Sequence, residues 1–214
     1  MHFRHFLKRW LWLLQTHIPF LKHLIRSIYF MTTLFLALLI FVQLIFLAVI
    51  LLVLSFLIFA LIGVPWVPTR SKIGRRMYEM VALKPGEIVM DLGCGDGSLL
   101  LTAVKEFGAK GIGYEMHPVL CWMARLRARL AGVSSRMEIH CGDFFKKPLP
   151  PHVDVIACYL FPQVQAKLEP KFIAMYPPGT RIVSRTFRYP HLPLVHSEHV
   201  GSEMIYFYRI PEAK

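Results

Sequence analysis

The residues best suited to chemistry lie in the stretch VMDLGCGDG at positions 89–97, where an apolar run meets three glycines spaced by single residues. An acid stands on each side of the turn, as Asp91 and Asp96. A glycine-rich turn after a strand lets the backbone approach a ligand closely, and that ligand is most often a nucleotide phosphate. Two carboxylates would repel a phosphate, so the charges are the informative part of this motif.

Further acids stand where later strands are predicted to end. Glu115 closes the second predicted strand, where a carboxylate can accept both hydroxyls of a ribose. Asp143 and Phe144 close the third, where a carboxylate can take an exocyclic amine and a ring can stack on a base. Because ligands of parallel sheets bind outside the carboxyl ends of the strands, these residues together indicate a nucleoside pocket.

The loop also discriminates between nucleosides. A dinucleotide fingerprint has glycines at its first, third and sixth positions, and the sixth position counted from Gly93 is Ser98. Unit charges about 4 Å apart interact by about 4 kcal/mol in a partly buried site, so Asp91 and Asp96 disfavour a pyrophosphate. S-adenosylmethionine suits the loop, since it has no phosphate, a positive sulfonium and an ammonium that a carboxylate can hold.

Over about residues 70–210 the motifs VMDLGCGDG, GYE and CGDFF resemble those of class I, seven-strand methyltransferases that use S-adenosylmethionine. VPWVPT, GIGYEMHP and YLFPQV more narrowly resemble the small membrane-anchored protein-lysine methyltransferases of mitochondria and their bacterial relatives. Known members of that group act on the ATP synthase c subunit and the adenine nucleotide translocase. The resemblance implies an α/β, Rossmann-like sheet in the order 3-2-1-4-5-7-6, with the seventh strand antiparallel.

The resemblance also implies a set of cofactor-binding residues, namely Asp91, Gly93, Cys94, Gly95, Asp96, Gly97, Glu115, Met116, Asp143 and Phe144. Three of these have local alternatives: Gly97 could serve helix packing, Asp96 could cap a helix, and Asp143 could cap a turn. Cys94 departs from the mitochondrial members, which tend to carry Ser at this position. No metal ligand set is expected, because the four cysteines form no CxxC pair.

Tyr159 and Phe161 stand at the end of the fourth predicted strand and are the candidates for an acceptor channel. Their rings could hold a methylated ammonium by cation–π contact, or they could be ordinary packing aromatics. A lysine acceptor must lose its proton before it attacks, since its free pKa is about 10.4. Asp154 lies at the wrong end of the strand for this chemistry and is interpreted as structural.

The elements that must position these residues follow from the alternating pattern. Helices are predicted over residues 72–83, 98–107 and 119–131, and strands over 88–92, 111–114, 137–141 and 153–160. Strands that alternate with helices predict a mostly parallel sheet. Three strand-like runs without intervening helices follow, TRIVSRTF, LPLVHSEHV and EMIYFYRI, and the last two are expected to pair antiparallel at the sheet edge.

The N-terminal part of the chain predicts a membrane anchor. Residues 30–62 contain no charged side chain, and roughly 20 apolar helical residues suffice to cross a bilayer. Residues 1–27 carry five cations and no acid, interspersed with Trp10 and Trp12, which is typical of a segment lying on anionic lipid. One long helix and a hairpin both stay open, because cations flank the apolar stretch on both sides.

Four segments are therefore expected: a basic amphipathic surface segment (1–27), a transmembrane anchor (28–63), a linker with a leading helix (64–84) and a methyltransferase domain (85–214). The expected partners are the lipid bilayer, anionic lipid near the basic head, and a small membrane protein as methyl acceptor. The catalytic domain is expected to face the cytoplasm, or the matrix in an organelle. Arg125, Arg127 and Arg129 form a basic patch, but near a membrane lipid is the simpler partner, so no nucleic acid is expected.

Three functions stay open at this point. The first is a membrane-anchored methyltransferase acting on lysine of a membrane protein. The second is a methyltransferase of a lipid or lipophilic small molecule, which the anchor would serve equally well. The third is a non-catalytic module that binds S-adenosylmethionine, since fold does not decide function.

Overall fold

The computed structural model describes residues 2–61 and 66–212. The chain separates into two units, Met1–Pro65 and Trp66–Lys214. The predicted boundaries at residues 63 and 64 fall outside the described residues.

The described residues of the first unit form one helix, α1 (His2–Leu61), which runs without a break through the boundary expected at residue 27. The described helix contains no turn of the kind that a helical hairpin requires. Within α1, the stretch Ile18–Ile58 is long and apolar enough to cross a membrane, by length and composition, and none of its described side chains is buried. Large apolar side chains are exposed at many of its described positions.

The second unit alternates helices and strands before it ends in strands. Its elements are α2 (Ser71–Met80), β1 (Ile88–Leu92), α3 (Ser98–Glu106), β2 (Lys110–Glu115), α4 (Pro118–Leu130), β3 (Met137–Cys141), β4 (Val155–Cys158), α5 (Pro162–Met175), β5 (Arg181–Arg185), β6 (Leu194–Val200) and β7 (Glu203–Arg209). The seven strands form one sheet in the order β3-β2-β1-β4-β5-β7-β6. β7 is antiparallel to both of its neighbours, whereas the other pairs are parallel. The strand order implied by the resemblance is therefore confirmed, and so is the antiparallel pair at the edge.

Alternate residues of the central strands feed two cores, one on each face of the sheet. Val89, Val155 and Val183 pack on one face with apolar side chains of α2, α3 and α4. Met90 and Ile156 pack on the other face with side chains of α5. This alternation follows from the pleat, which points successive side chains to opposite sides.

Two predicted elements need correction, and one helix was missed. α2 ends at Met80 rather than residue 83, because Ala82 turns the chain with φ +49° and the N–H of Leu83 donates to the carbonyl of Tyr78 over 3.0 Å. β4 is shorter than the predicted 153–160. α5 was not predicted at all, since Pro170 inside the helix interrupts the pattern that would have indicated it.

Candidate cofactor and acceptor site

The glycine-rich loop leaves β1 and is held against the neighbouring strand. The backbone N–H groups of Gly93 and Cys94 both donate to the carbonyl oxygen of Tyr114, over 2.8 and 3.0 Å. The Cys94 thiol points inward, since its Sγ would lie 2.7 Å from a Cβ placed on Gly113. Cys94 therefore offers a ligand its main chain rather than its side chain.

Two of the loop glycines are required for different reasons. Gly95 has φ +55°, and a Cβ there would lie 3.0 Å from Cδ1 of Trp66. Gly97 has φ +74°, and a Cβ there would lie 2.6 Å from Cε of Met137 and 3.0 Å from Cβ of Ala124. Gly97 thus serves the packing of the loop against α4, as the alternative interpretation held, while the lack of a side chain at Gly95 leaves room for the ring of Trp66.

Asp91 is the most unusual group of the site. Its side chain is 3% exposed at the end of β1, and none of the described residues donates a hydrogen bond to its carboxylate. Burial, together with the charges of Glu115 and Asp96, raises the pKa of the Asp91 carboxyl to about 8. A buried carboxylate without a donor and beside like charges is suited to a cationic ligand, which would replace the proton.

Glu115, 4% exposed, links the end of β2 to the loop. Its Oε2 accepts from the N–H of Gly95 over 2.9 Å, and its Oε1 accepts from the N–H of His117 over 2.7 Å. Each carboxylate oxygen retains a second lone pair, so Glu115 could also accept ribose hydroxyls. Met116 directly follows Glu115 in the connection between β2 and α4.

Asp96 is engaged by the protein itself. Its carboxylate forms an ion pair with Arg127 of α4, and it also accepts from the N–H of Ser98 over 3.2 Å at the start of α3. Asp96 therefore lies within the loop, but its carboxylate is bound by other groups of the protein. In the sequence, Arg127 was recognised only as part of a basic patch; its partner lies 31 residues away.

Asp143 and Phe144 follow β3 at the same edge of the sheet. The Asp143 carboxylate accepts from the N–H of Phe145 over 2.9 Å, which is the turn-capping contact foreseen as an alternative. One turn-capping bond leaves most of the carboxylate's acceptor capacity in place. Phe144 is half-buried against the second core, and its ring centroid lies 4.8 Å from that of Phe145. Both residues could line a base.

Tyr159 and Phe161 follow β4 and belong to an aromatic cluster that includes Phe187. The Phe187 ring centroid lies 6.0 Å from that of Tyr159 and 5.6 Å from that of Phe161. The guanidinium carbon of Arg185 stands 4.3 Å from the centre of the Tyr159 ring, so one face of that ring already holds a cation. The other expected contact, with a methylated ammonium, would need the remaining face.

The turn after β5 brings Phe187 to this cluster. Thr186 adopts φ +68°, a left-handed conformation that costs a residue with a side chain about 1–3 kcal/mol. It is held there because its N–H donates to the carbonyl of Met204 over 2.7 Å and its hydroxyl donates to Glu203 over 2.8 Å. Ser184 donates to the carbonyl of Phe187 over 2.7 Å. Sequence reasoning missed Arg185 and Phe187, which stand in a run interpreted only as a strand.

Asp154 lies at the opposite end of the sheet, as expected. Its Oδ2 accepts from the N–H of Ile88 over 2.8 Å at the start of β1. The interpretation of Asp154 as a structural residue agrees with this contact. The residues proposed for chemistry instead gather at the carboxyl ends of β1, β2, β3 and β4, which are neighbours in the sheet.

Known proteins that are similar to this chain indicate its family. Residues 91–196 match the model of the ANTKMT methyltransferase domain. A protein-lysine N-methyltransferase of Saccharolobus islandicus is 38% identical over 125 residues, which cover 58% of this chain and 77% of that protein. The Mus musculus lysine N-methyltransferase of the ATP synthase c subunit is 30% identical over 145 residues, which cover 68% of this chain and 58% of that protein.

Among solved structures, an RNA methyltransferase from Salinibacter ruber in complex with S-adenosyl-L-homocysteine is similar with a TM-score of 0.66 and 32% identity. The match covers 69% of this chain and 96% of that one. Fold, cofactor class and sequence relatives agree with the resemblance drawn from the motifs. The chain belongs to the class I, S-adenosylmethionine-dependent protein-lysine methyltransferases that carry the ANTKMT methyltransferase domain.

Proposed function

We propose that the protein is an integral membrane methyltransferase that transfers a methyl group from S-adenosylmethionine to a lysine of a membrane protein. The observation that carries the cofactor site is the Asp91 carboxylate, buried without a hydrogen-bond donor among the described residues and with a pKa raised to about 8 by burial and by neighbouring carboxylates. A ligand that brings an ammonium and no phosphate relieves this repulsion, whereas a nucleotide phosphate would increase it.

The remaining cofactor contacts follow the order of the strands. Asp91 would hold the ammonium, and Glu115 would accept the ribose hydroxyls while it keeps the N–H of Gly95. Asp143 would accept the exocyclic amine of the adenine, and Phe144 would stack on the base. The main chain at positions 93–95 would lie along the ligand. Asp96 and the side chains packed around Gly97 support the loop from behind.

The acceptor side is assigned to the aromatic cluster of Tyr159, Phe161 and Phe187. When bound, the cofactor supplies an electrophilic methyl carbon, and the protein must hold the acceptor nitrogen in line at about 3 to 3.5 Å from it. The rings of the cluster would exclude water from this approach and pack along the aliphatic stem of a lysine. The cation of Arg185 beside Tyr159 disfavours a protonated amine nearby and so favours the neutral, nucleophilic form.

The membrane part of the proposal is supported by α1. Its stretch Ile18–Ile58 has the length and composition of a membrane span, and only a few residues separate α1 from the catalytic unit in the sequence. Arg70, Lys72, Arg75 and Arg76 follow the span and favour a cytoplasmic or matrix side for the catalytic unit. The cations before the span would contact anionic lipid. The mouse relative is named for a component of the ATP synthase, so a small membrane protein is the acceptor we favour.

The test uses membranes from a deletion strain, the purified full-length protein and cofactor labelled on the methyl group. Label in a protease-sensitive band that releases methyl-lysine on hydrolysis supports the proposal. Label that extracts into organic solvent would assign a lipid acceptor instead, and label in nuclease-sensitive material would assign RNA, as in the name of the Salinibacter ruber neighbour. Binding of S-adenosylhomocysteine without any transfer would leave a non-catalytic module.

A further inference from the structure

The segment just before α2 lies over the cofactor loop. Residues 66–70, WVPTR, are called the strap here. The indole of Trp66 packs directly on Gly95, since a Cβ placed there would lie 3.0 Å from Cδ1 and 3.1 Å from Nε1 of the ring. Trp66 is 39% exposed, so the ring lies at the protein surface with the loop beneath it. The loop proposed to lie along the cofactor is thus closed on one side by an aromatic ring.

The other end of the strap is tied to the acceptor side. Thr69 Oγ1 accepts from Nη1 of Arg185 over 3.2 Å. Arg185 is 4% exposed and also donates to Glu203, from Nη2 over 2.7 Å and from Nε over 3.2 Å. The same guanidinium covers one face of Tyr159. One buried cation therefore connects the strap, β7 and the aromatic cluster.

We infer that the strap is a positioning element for methyl transfer. Trp66 fixes the position of the glycine-rich loop, and Arg185 fixes the position of Tyr159 relative to the strap. The inference rests on the proposed site. Transfer requires acceptor and donor aligned to a fraction of an ångström and shielded from water. The strap contacts the glycine-rich loop through Trp66. Its Thr69 contacts Arg185, which in turn covers the ring of Tyr159. A single segment with both contacts can keep the cofactor and the acceptor at a fixed separation. Arg suits this role better than Lys, because its planar fork binds a carboxylate with two donors while it stacks on a ring.

The experiment measures S-adenosylhomocysteine binding to the full-length protein in lipid nanodiscs by calorimetry. Trp66→Ala is expected to weaken binding at least tenfold with little change in the apparent melting temperature, and Trp66→Phe to restore most of the affinity. Trp122→Ala serves as the matched control, since Trp122 is an exposed ring on the outer side of α4. Binding by Trp66→Ala within twofold of the wild type would overturn the role of Trp66.

A second measurement follows the strap itself. In a chain whose Trp10, Trp12 and Trp122 are replaced by Phe, the emission of Trp66 is expected to change on addition of S-adenosylhomocysteine. Arg185→Lys, which loses the two-donor contact, is expected to shift the ligand-free emission to longer wavelength as Trp66 becomes more exposed. Emission that responds to neither change would overturn the inference. Asp91→Ala separates the two proposals. If this variant still binds S-adenosylhomocysteine, the proposed cofactor site itself is wrong. If Asp91→Ala loses binding while Trp66→Ala binds like the wild type, the role of the strap alone is rejected.

Discussion

Oε2 of Glu115 accepts a hydrogen bond from the backbone N–H of Gly95 over 2.9 Å, so the acid that ends β2 shapes the loop that follows β1. The same side chain holds the N–H of His117 at the start of α4 with its other oxygen. The glycine-rich loop and the end of β2 are thereby held side by side, although the two bonded residues are 20 positions apart in the chain. This contact makes the cofactor loop depend on the neighbouring strand.

Glu115→Gln is expected to weaken S-adenosylhomocysteine binding about 10- to 100-fold, or about 1.4–2.8 kcal/mol, because the amide nitrogen cannot accept and one buried N–H loses its partner. Titration calorimetry measures the change. Glu138→Gln is the matched control, since that side chain is exposed on the edge strand β3. Equal affinities for Glu115→Gln and the wild type would show that Glu115 does not contribute to the cofactor site.

Cofactor affinity is expected to rise between pH 6 and pH 8. The pKa of Asp91 is raised to about 8 by burial and by Glu115 and Asp96, so the ligand-free carboxyl is protonated over most of this range and must lose its proton to hold an ammonium. Calorimetry at several pH values should give a slope that Asp91→Asn abolishes. A slope of equal size in Asp91→Asn would assign the titration to another group.

The stability of the ligand-free protein should change in the opposite direction. A carboxyl whose pKa is raised by folding contributes stability that is fully present below its unfolded pKa of about 3.9 and is lost as the pH rises through about 8. The melting temperature without ligand should therefore fall from pH 5 to pH 8, and less steeply in Asp91→Asn. Added S-adenosylhomocysteine should offset the fall, since it binds only the folded state.

Gly97→Ala is expected to destabilise the protein by about 2–4 kcal/mol. The substitution forces a side chain into φ +74°, and its Cβ would overlap Met137 and press against Ala124. Gly132→Ala is a close control, because φ there is +69° but no atom lies within 4 Å of the new Cβ. Thermal unfolding followed by circular dichroism should show a clearly larger loss for Gly97→Ala, and equal losses would mean that the packing against α4 contributes nothing.

Asp154→Ala is expected to lower stability by about 1–2 kcal/mol and to leave cofactor binding unchanged. The carboxylate accepts from the N–H of Ile88 at the end of the sheet opposite the site, so its loss removes a charge-assisted hydrogen bond but no ligand contact. Melting and calorimetry on the same preparation separate the two effects. A change in affinity of more than threefold would contradict the structural role given to Asp154.

A chain that begins at Trp66 is expected to bind S-adenosylhomocysteine like the full-length protein, because every cofactor contact proposed above lies in the second unit. Its transfer of label to deletion-strain membranes should fall by at least tenfold, since the anchor raises the effective concentration of the enzyme at the membrane. Undiminished transfer by the shortened chain would reject the role of the anchor in reaching the acceptor.

Many helices and strands of the second unit were predictable from the local pattern of apolar residues and turn residues in the sequence. The bounds of β1 and β3 agree with the predicted 88–92 and 137–141, because buried strands between turn residues give a strong local signal. The missed helix α5 shows where this signal fails. Pro162 is favourable at a helix start, but Pro170 breaks the periodicity. Tertiary contacts stabilise the helix instead: Leu168 and Phe172 pack into the second core, and the buried Glu169 carboxylate accepts from the N–H of His191 over 2.9 Å.

The sequence by itself indicated the class of cofactor, and it predicted the edge of the sheet at which we propose that the cofactor binds. Asp91, Glu115 and Asp143 stand at strand ends in the linear pattern, and parallel strands bring their carboxyl ends together by rule. Tertiary structure decided which of the candidate site residues are already engaged by other side chains of the protein. Asp96 is neutralised by Arg127, and the ring of Tyr159 is covered by Arg185, through contacts between residues 31 and 26 positions apart. Such pairings depend on how α4 and β5 pack against the site, and local periodicity carries no information about that packing.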